Sequence, residues 1–221
     1  PGRQELMNPI IEQFGVRFMP GQLVQPTPLL QADLIQAIPT DEGAAYWSNL
    51  DFIRKNEGCV AMPGCVGLEY TPTDGITVVP LLSTDTTGCW NRIVATDFVR
   101  DSVRYMPETG DQAGIFTTTL ALTRNVNDLE QRVLIVGNTD FLSNGEFATG
   151  RREVRNFNGI LKHAAFYWLS HEELPVNTEG DAPIDRKLYV SEAAMEIWSI
   201  VFMVVIPVIL ALAGIIIWVR R

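Results

Sequence analysis

The chain has 221 residues, 26 acidic against 17 basic, and a formal net charge of −9. Its length suits one domain plus a tail, and its 47% hydrophobic content excludes wholesale disorder. The acidic balance speaks against nucleic acid as a partner, because phosphate binding requires clustered Lys and Arg.

The sequence begins at Pro1, with no initiator Met or signal peptide, inside what reads as an element boundary. A longer polypeptide is therefore expected. Residues Arg3 to Gly15 predict a short amphipathic helix, with Leu6, Ile10, Ile11 and Phe14 on one face and Pro9 interrupting it. A short strand, "VRFM", follows. Residues 20–45 are rich in Pro and predict irregular chain with short strands. The stretch "AYWSNLDFIRKNEG" predicts a helix stopped by Gly58. "CVAMPGCVGLEY" predicts a buried strand and a bend, and Ile76 to Leu82 an apolar strand ending at Ser83, Thr84 and Asp85. Two strands joined at Asn127-Asp128 are expected across "IFTTTLALTRNVNDLEQRVLIVGNTD", since Asn and Asp tolerate the turn conformation. The run "VLIV", apolar on both faces, predicts a central buried strand. Ile160 to Ser170 predicts a helix with Leu161, Ala164, Ala165, Trp168 and Leu169 as its apolar stripe.

The strongest signal is the apolar stretch Ile197 to Val219, which carries no charge. As a helix it extends roughly 34 Å, enough for a bilayer core of about 30 Å. Trp198 and Trp218 lie near its ends, where aromatic belts form, and Pro207 lies mid-span. Ala211, Ala213 and Gly214 are small enough for a neighbouring helix to approach, although ordinary membrane-helix composition accounts for them equally well. Arg220 and Arg221 follow at once, which by the positive-inside rule predicts a cytoplasmic C-terminus and a main domain outside. Ser191 is the expected N-cap of this last helix. The predicted organisation is an α/β domain over 1–173, a juxtamembrane linker over 174–190, and a transmembrane helix with a short basic tail over 191–221. The expected fold is a Rossmann-like or flavodoxin-like sheet with flanking helices, its first strands lying upstream of this sequence.

Sequence patterns for chemistry are sparse. There is no G-x-S-x-G elbow, no phosphate-binding glycine loop, and no C-x-x-C or H-E-x-x-H. No cofactor, metal or catalytic residue is predicted. Cys59, Cys65 and Cys89 read best as small buried hydrophobes, although an oxidising compartment would permit a disulfide. The polar cluster after Gly137 supplies the only candidate site. Asp140, Ser143 and Asn144, with Asp85 at another strand end, either line a ligand crevice or organise loop backbone. The loop-organising role is favoured, with Asp140 capping the next turn.

Several segments taken together resemble the GldG-type family, auxiliary proteins of ABC-2 type transporters known from gliding-motility systems of Bacteroidetes. They are "ELMNPIIEQFGVRFMPGQLVQP", "ITVVPLLSTDTTGCWN", "LALTRNVNDLEQRVLIVGNTDFLSNGEF" and the final span ending "WVRR". Gly137, Asn138, Thr139, Asp140, Phe141, Ser143 and Asn144 match a strand-end pattern of that family, Asn138 standing where Asp is more usual. The resemblance implies a non-catalytic extracytoplasmic domain tied to the bacterial inner membrane. It implies an ABC-2 permease as partner and, indirectly, a cytoplasmic ATPase. The rival readings are a membrane-anchored hydrolase or amidotransferase-like enzyme, and a polymer- or sugar-binding module.

Overall fold

A computed structural model describes residues 4–27, 30–85, 88–98, 103–143, 145–146, 154–173 and 192–220. The chain divides into two compact units, Pro1–Val176 and Asn177–Arg221. The expected linker, 174–190, and Ser191 lie outside the described residues.

Among the described residues the first unit has ten strands: β1 (Val16–Phe18), β2 (Gln22–Val24), β3 (Leu34–Pro39), β4 (Val60–Pro63), β5 (Leu68–Tyr70), β6 (Ile76–Ser83), β7 (Trp90–Arg92), β8 (Gln112–Ala113), β9 (Thr117–Val126) and β10 (Leu129–Val136). Seven form one sheet in the order β1-β5-β9-β6-β3-β4, with β10 also paired to β9. Three form a smaller sheet, β2-β7-β8. Every strand pair within these two sheets is antiparallel. This corrects the expected Rossmann-like or flavodoxin-like sheet. A parallel sheet needs crossovers of a dozen or more residues, usually helical. Here β9 reverses directly into β10, and β5 is separated from β6 by a short turn. Even β3 and β4, which flank the helices α2 (Asp41–Tyr46) and α3 (Ser48–Lys55), run antiparallel.

The β9–β10 turn shows why the sequence specifies reversal there. Asn127 and Asp128 both adopt positive φ, 52° and 62°. That is the turn whose twist matches two antiparallel strands, and Asn and Asp enter it at low cost. Pairing then runs without a break from Leu129↔Val126 to Val136↔Thr119. In β6 the register shifts after Pro80, whose missing N–H removes a ladder donor.

Alternation along these strands separates two cores, one on each face of the main sheet. Val79, Ala121, Leu134 and Val136 face a core with Trp47, Leu50 and Ile53 and with helix α4 (Asn158–Leu169). Val78, Leu120, Leu122, Val133 and Ile135 face a second core with Ile11, Val16 and Leu68. The run "VLIV" is therefore apolar on both sides because both sides are covered. It is not a central strand, since β10 pairs only β9 among the described residues. The N-terminal segment also departs from expectation. It breaks into a 3-10 turn (Gln4–Leu6), helix α1 (Asn8–Ile11) and a second 3-10 turn (Glu12–Phe14). Changing helix type around Pro9 shifts the phase of the stripe. Ile11 is buried, while Leu6 and Ile10 remain 68% and 55% exposed.

Helix α2 sits hard against β6. Thr40 caps it, its Oγ1 accepting the Gly43 N–H at 2.8 Å while its own N–H reaches the Leu81 carbonyl at 3.1 Å. A Cβ on Gly43 would overlap that same carbonyl oxygen. On α4, Leu161, Ala164, Ala165 and Trp168 are buried, whereas Leu169 is 38% exposed. Its C-terminus is held by Arg132, whose guanidinium donates to the Trp168 carbonyl at 2.7 Å and lies 5.4 Å from the Trp168 ring centroid. The smaller sheet is anchored by a buried ion pair, Arg92 Nε to Asp111 Oδ2 at 3.1 Å.

The described residues of the second unit, 192–220, form one long apolar helix. It is α-helical over Glu192–Ile200, widens to a π-turn over Val201–Val205, and resumes as α-helix over Ile206–Val219. Ile197–Trp218 is long and apolar enough to cross a membrane, with mean hydropathy 3.2 and none of the residues buried in the protein. Pro207 lies just past the π-turn. A proline has no N–H for the carbonyl four residues back, and a widened turn is a common accommodation.

Candidate functional site

The strand end at Gly137 is a structural clasp. Gly137 lies so close to the Val66 backbone that a Cβ would overlap the Val66 carbonyl oxygen. Its N–H donates to the Thr118 carbonyl and its own carbonyl accepts the Val66 N–H, each at 2.8 Å. Asn138, which is buried, then uses both ends of its carboxamide. Its Oδ1 accepts the Phe141 N–H at 2.6 Å, and its Nδ2 donates to the Pro63 carbonyl. Asn138, and not Asp140, organises the turn.

A second buried asparagine completes the clasp. Asn158 Oδ1 accepts the Ala61 N–H at 2.8 Å, and its Nδ2 donates to the carbonyls of Ala61 at 2.8 Å and Phe141 at 3.0 Å. The chain just before it runs parallel to the start of β4. Cys59 N–H donates to the Arg155 carbonyl at 3.0 Å, and Phe157 N–H donates to the Cys59 carbonyl at 2.9 Å. The Asn158 side chain thus continues the ladder beyond the point where backbone pairing stops. The outer edge of β4 is covered, and its polar groups are satisfied.

The predicted site residues are dispersed. Asp140 is exposed at the start of a 3-10 turn (Asp140–Leu142), and its carboxylate makes no hydrogen bond or ion pair among the described residues. Its backbone carbonyl accepts the Ser143 N–H at 2.8 Å. Ser143 Oγ accepts the Glu146 N–H at 3.3 Å, a local turn contact. Asn144 lies outside the described residues. Asp85 belongs to a different place, the wall of a cavity of about 610 Å³ that Asp140 does not line.

That cavity opens where the main sheet splays. β3 pairs β6 only at Ile38 and Pro39, while Leu34 to Ala37 pair β4 on the other side. On the vacated side, Gln25 substitutes for a strand. Its Oε1 accepts the Gln36 N–H at 2.8 Å, and its backbone N–H donates to the Ala32 carbonyl at 2.8 Å. The walls carry Gln25, Thr27, Gln36, Asp85 and Arg155, with Arg54 and Glu57 at the end of α3. Arg54 is already engaged, at 2.8 Å from Asp41 and 3.0 Å from Asp51. Lys55 and Arg54 in turn hold the Asp51 carboxyl below its ordinary range through hydrogen bonds.

Cys59 also lines the cavity, and burial pushes its thiol up to about 11, so it is neutral at physiological pH. Burial raises the Cys65 thiol further. Cys89 is raised by burial and, more weakly, by the Asp85 charge, against a hydrogen bond from Thr84. None of the three cysteines is in a disulfide, and all are buried. Among the described residues, no group of three or more His, Cys, Asp and Glu is placed to hold a metal ion.

Sequence reading missed Asn158, Gln25, Thr27 and Arg155. Asn158 sits in the polar stretch that follows Asn144, and nothing local shows that its side chain reaches a strand far back in the chain. The cavity residues come from five separate segments, so no motif spacing reports them. No family model, curated protein or solved structure matches this chain.

Proposed function

We propose that this chain is a non-catalytic auxiliary subunit or domain of an ABC-2 type transporter complex. In this reading its folded unit lies outside the cytoplasm, and its apolar helix lies in the bacterial inner membrane. The observation that carries membrane attachment is the helix Ile197–Trp218, with no charged residue and none of its residues covered by protein. Arg220 and Arg221 at its end favour a cytoplasmic C-terminus. The GldG-type resemblance supports the transporter assignment, with the permease as direct partner and ATP hydrolysis on a separate cytoplasmic subunit. The low reactivity expected of three neutral, buried thiols is in keeping with a binding role.

Purification of the tagged full chain from its native membrane in mild detergent tests the assignment. An ABC-2 permease and an ATPase are expected to co-purify. Recovery of the chain with neither would overturn the transporter reading.

A further inference from the structure

Among the described residues the main sheet ends in three strands, β1, β4 and β10, and their outer edges are closed differently. At β1 the side chain of Asn8 takes the place of a strand. Its Oδ1 accepts the Phe18 N–H at 2.9 Å, and its Nδ2 donates to the Phe18 carbonyl at 3.3 Å. At β4 the chain before α4 and the Asn158 side chain do the same. β10 has no such cover among the described residues, although it is eight residues long and β1 only three.

The ladder fixes which groups lie on that open edge. Gly137 points its N–H at the Thr118 carbonyl, on the β9 side. Backbone direction alternates along a strand, so odd-numbered residues of β10 face β9. The backbones of Glu130, Arg132, Leu134 and Val136 therefore face outward. Their N–H and C=O groups meet no partner among the described residues, and none of the four residues is buried. Native edges are blunted by Lys, Pro, a bulge or shortness. β10 carries no Lys or Pro, and its pairing with β9 runs without a break. Its two charges, Glu130 and Arg132, are paired with each other. The edge is a template for one more strand.

Charge selects the strand. The order Glu130-Gln131-Arg132 is its own complement when read antiparallel. We propose that β10 pairs with β10 of a second copy of this chain, about a two-fold axis at Gln131. Glu130 of each copy then lies opposite Arg132 of the other, and Leu129 opposite Val133. Capacity for this is in place. Arg132 commits Nε to Glu130 Oε1 and Nη1 to the Trp168 carbonyl, while Arg132 Nη2 and Glu130 Oε2 have no hydrogen-bond partner among the described residues. An axis one residue along, at Arg132, would oppose two Arg. An axis at Val133 would set both charges against apolar residues. The surface lies wholly on the first unit and stands independently of the transporter assignment.

Gln131→Cys tests the pairing on the full chain in its native membrane, by copper–phenanthroline oxidation and non-reducing electrophoresis. At the axis the two copies of position 131 form a non-hydrogen-bonded pair, with Cα atoms about 4.5 Å apart, within disulfide reach. A covalent dimer is expected. The parent chain, whose cysteines are all buried, is expected to stay monomeric. Leu129→Cys, too far from its counterpart across the axis, is expected to cross-link severalfold less. Glu130→Arg added to Gln131→Cys opposes Arg to Arg on both sides of the axis. It is expected to lower the dimer yield severalfold, with the unfolding temperature checking that the fold is kept. The proposal is overturned by no dimer from Gln131→Cys, by equal cross-linking from Leu129→Cys, or by a yield that Glu130→Arg leaves unchanged. A disulfide from Gln131→Cys to a different protein overturns it as well.

Discussion

Asn138 decides what the strand-end pattern does in this chain. The position needs a donor toward the Pro63 carbonyl and an acceptor toward the Phe141 N–H, and a carboxamide supplies both. An ionised Asp supplies only acceptors and would set a buried charge against a carbonyl oxygen. Asn138→Asp is therefore expected to cost about 2–4 kcal/mol at neutral pH by urea unfolding. The pH dependence has a definite sign. A carboxyl that must donate is held protonated in the folded state, so its folded pKa lies above the unfolded value. The folded state then binds more protons, and the deficit shrinks as pH falls through the folded pKa. A deficit equal at pH 7.5 and pH 5 would contradict this account. The residue type at 138 was legible in the sequence, but its partners were not. Pro63 lies on another strand, and nothing in "GNTDF" shows which carbonyl the side chain will meet. The same limit explains why Asp140, an acid beside the turn, looked like its organiser.

Elements announced themselves where a local pattern has one physical solution. β6, the β9–β10 hairpin, α3, α4 and the terminal helix follow from apolar period, turn residues and length. Pairing direction has no such local signature. Helices between strands suggested crossovers and hence a parallel sheet, but an αα pair between β3 and β4 returns the chain antiparallel as readily. Doubly apolar β10 suggested a central strand, whereas what the pattern reports is cover on two faces. Gly43 gives the element scale a direct test. Propensity alone makes Gly→Ala in a helix favourable by about 1 kcal/mol. Here the added methyl meets the Leu81 carbonyl across the α2–β6 contact. Gly43→Ala is expected to destabilise by about 1–3 kcal/mol, read as a lower urea midpoint. A raised midpoint would show that α2 can lift off β6 without loss.

At the scale of the whole molecule, a folded unit of two cores around an antiparallel sheet shares a chain with one apolar helix. Composition and the C-terminal stretch made both parts legible, because bilayer thickness fixes the length of the helix and burial fixes the hydrophobic fraction. The cavity was invisible in the sequence, since it is assembled from segments that only the fold brings together. In the proposed topology the folded unit lies outside the cytoplasm. Native cysteines do not interfere with a test of it. All three are buried, and burial holds Cys59 and Cys65 in the thiol form at neutral pH. A single reporter is placed by Asp74→Cys in the exposed turn before β6. Treated with a membrane-impermeant maleimide, intact spheroplasts are predicted to show labelling at position 74 and none in the parent chain. Protection of that cysteine until the membrane is lysed would contradict the account.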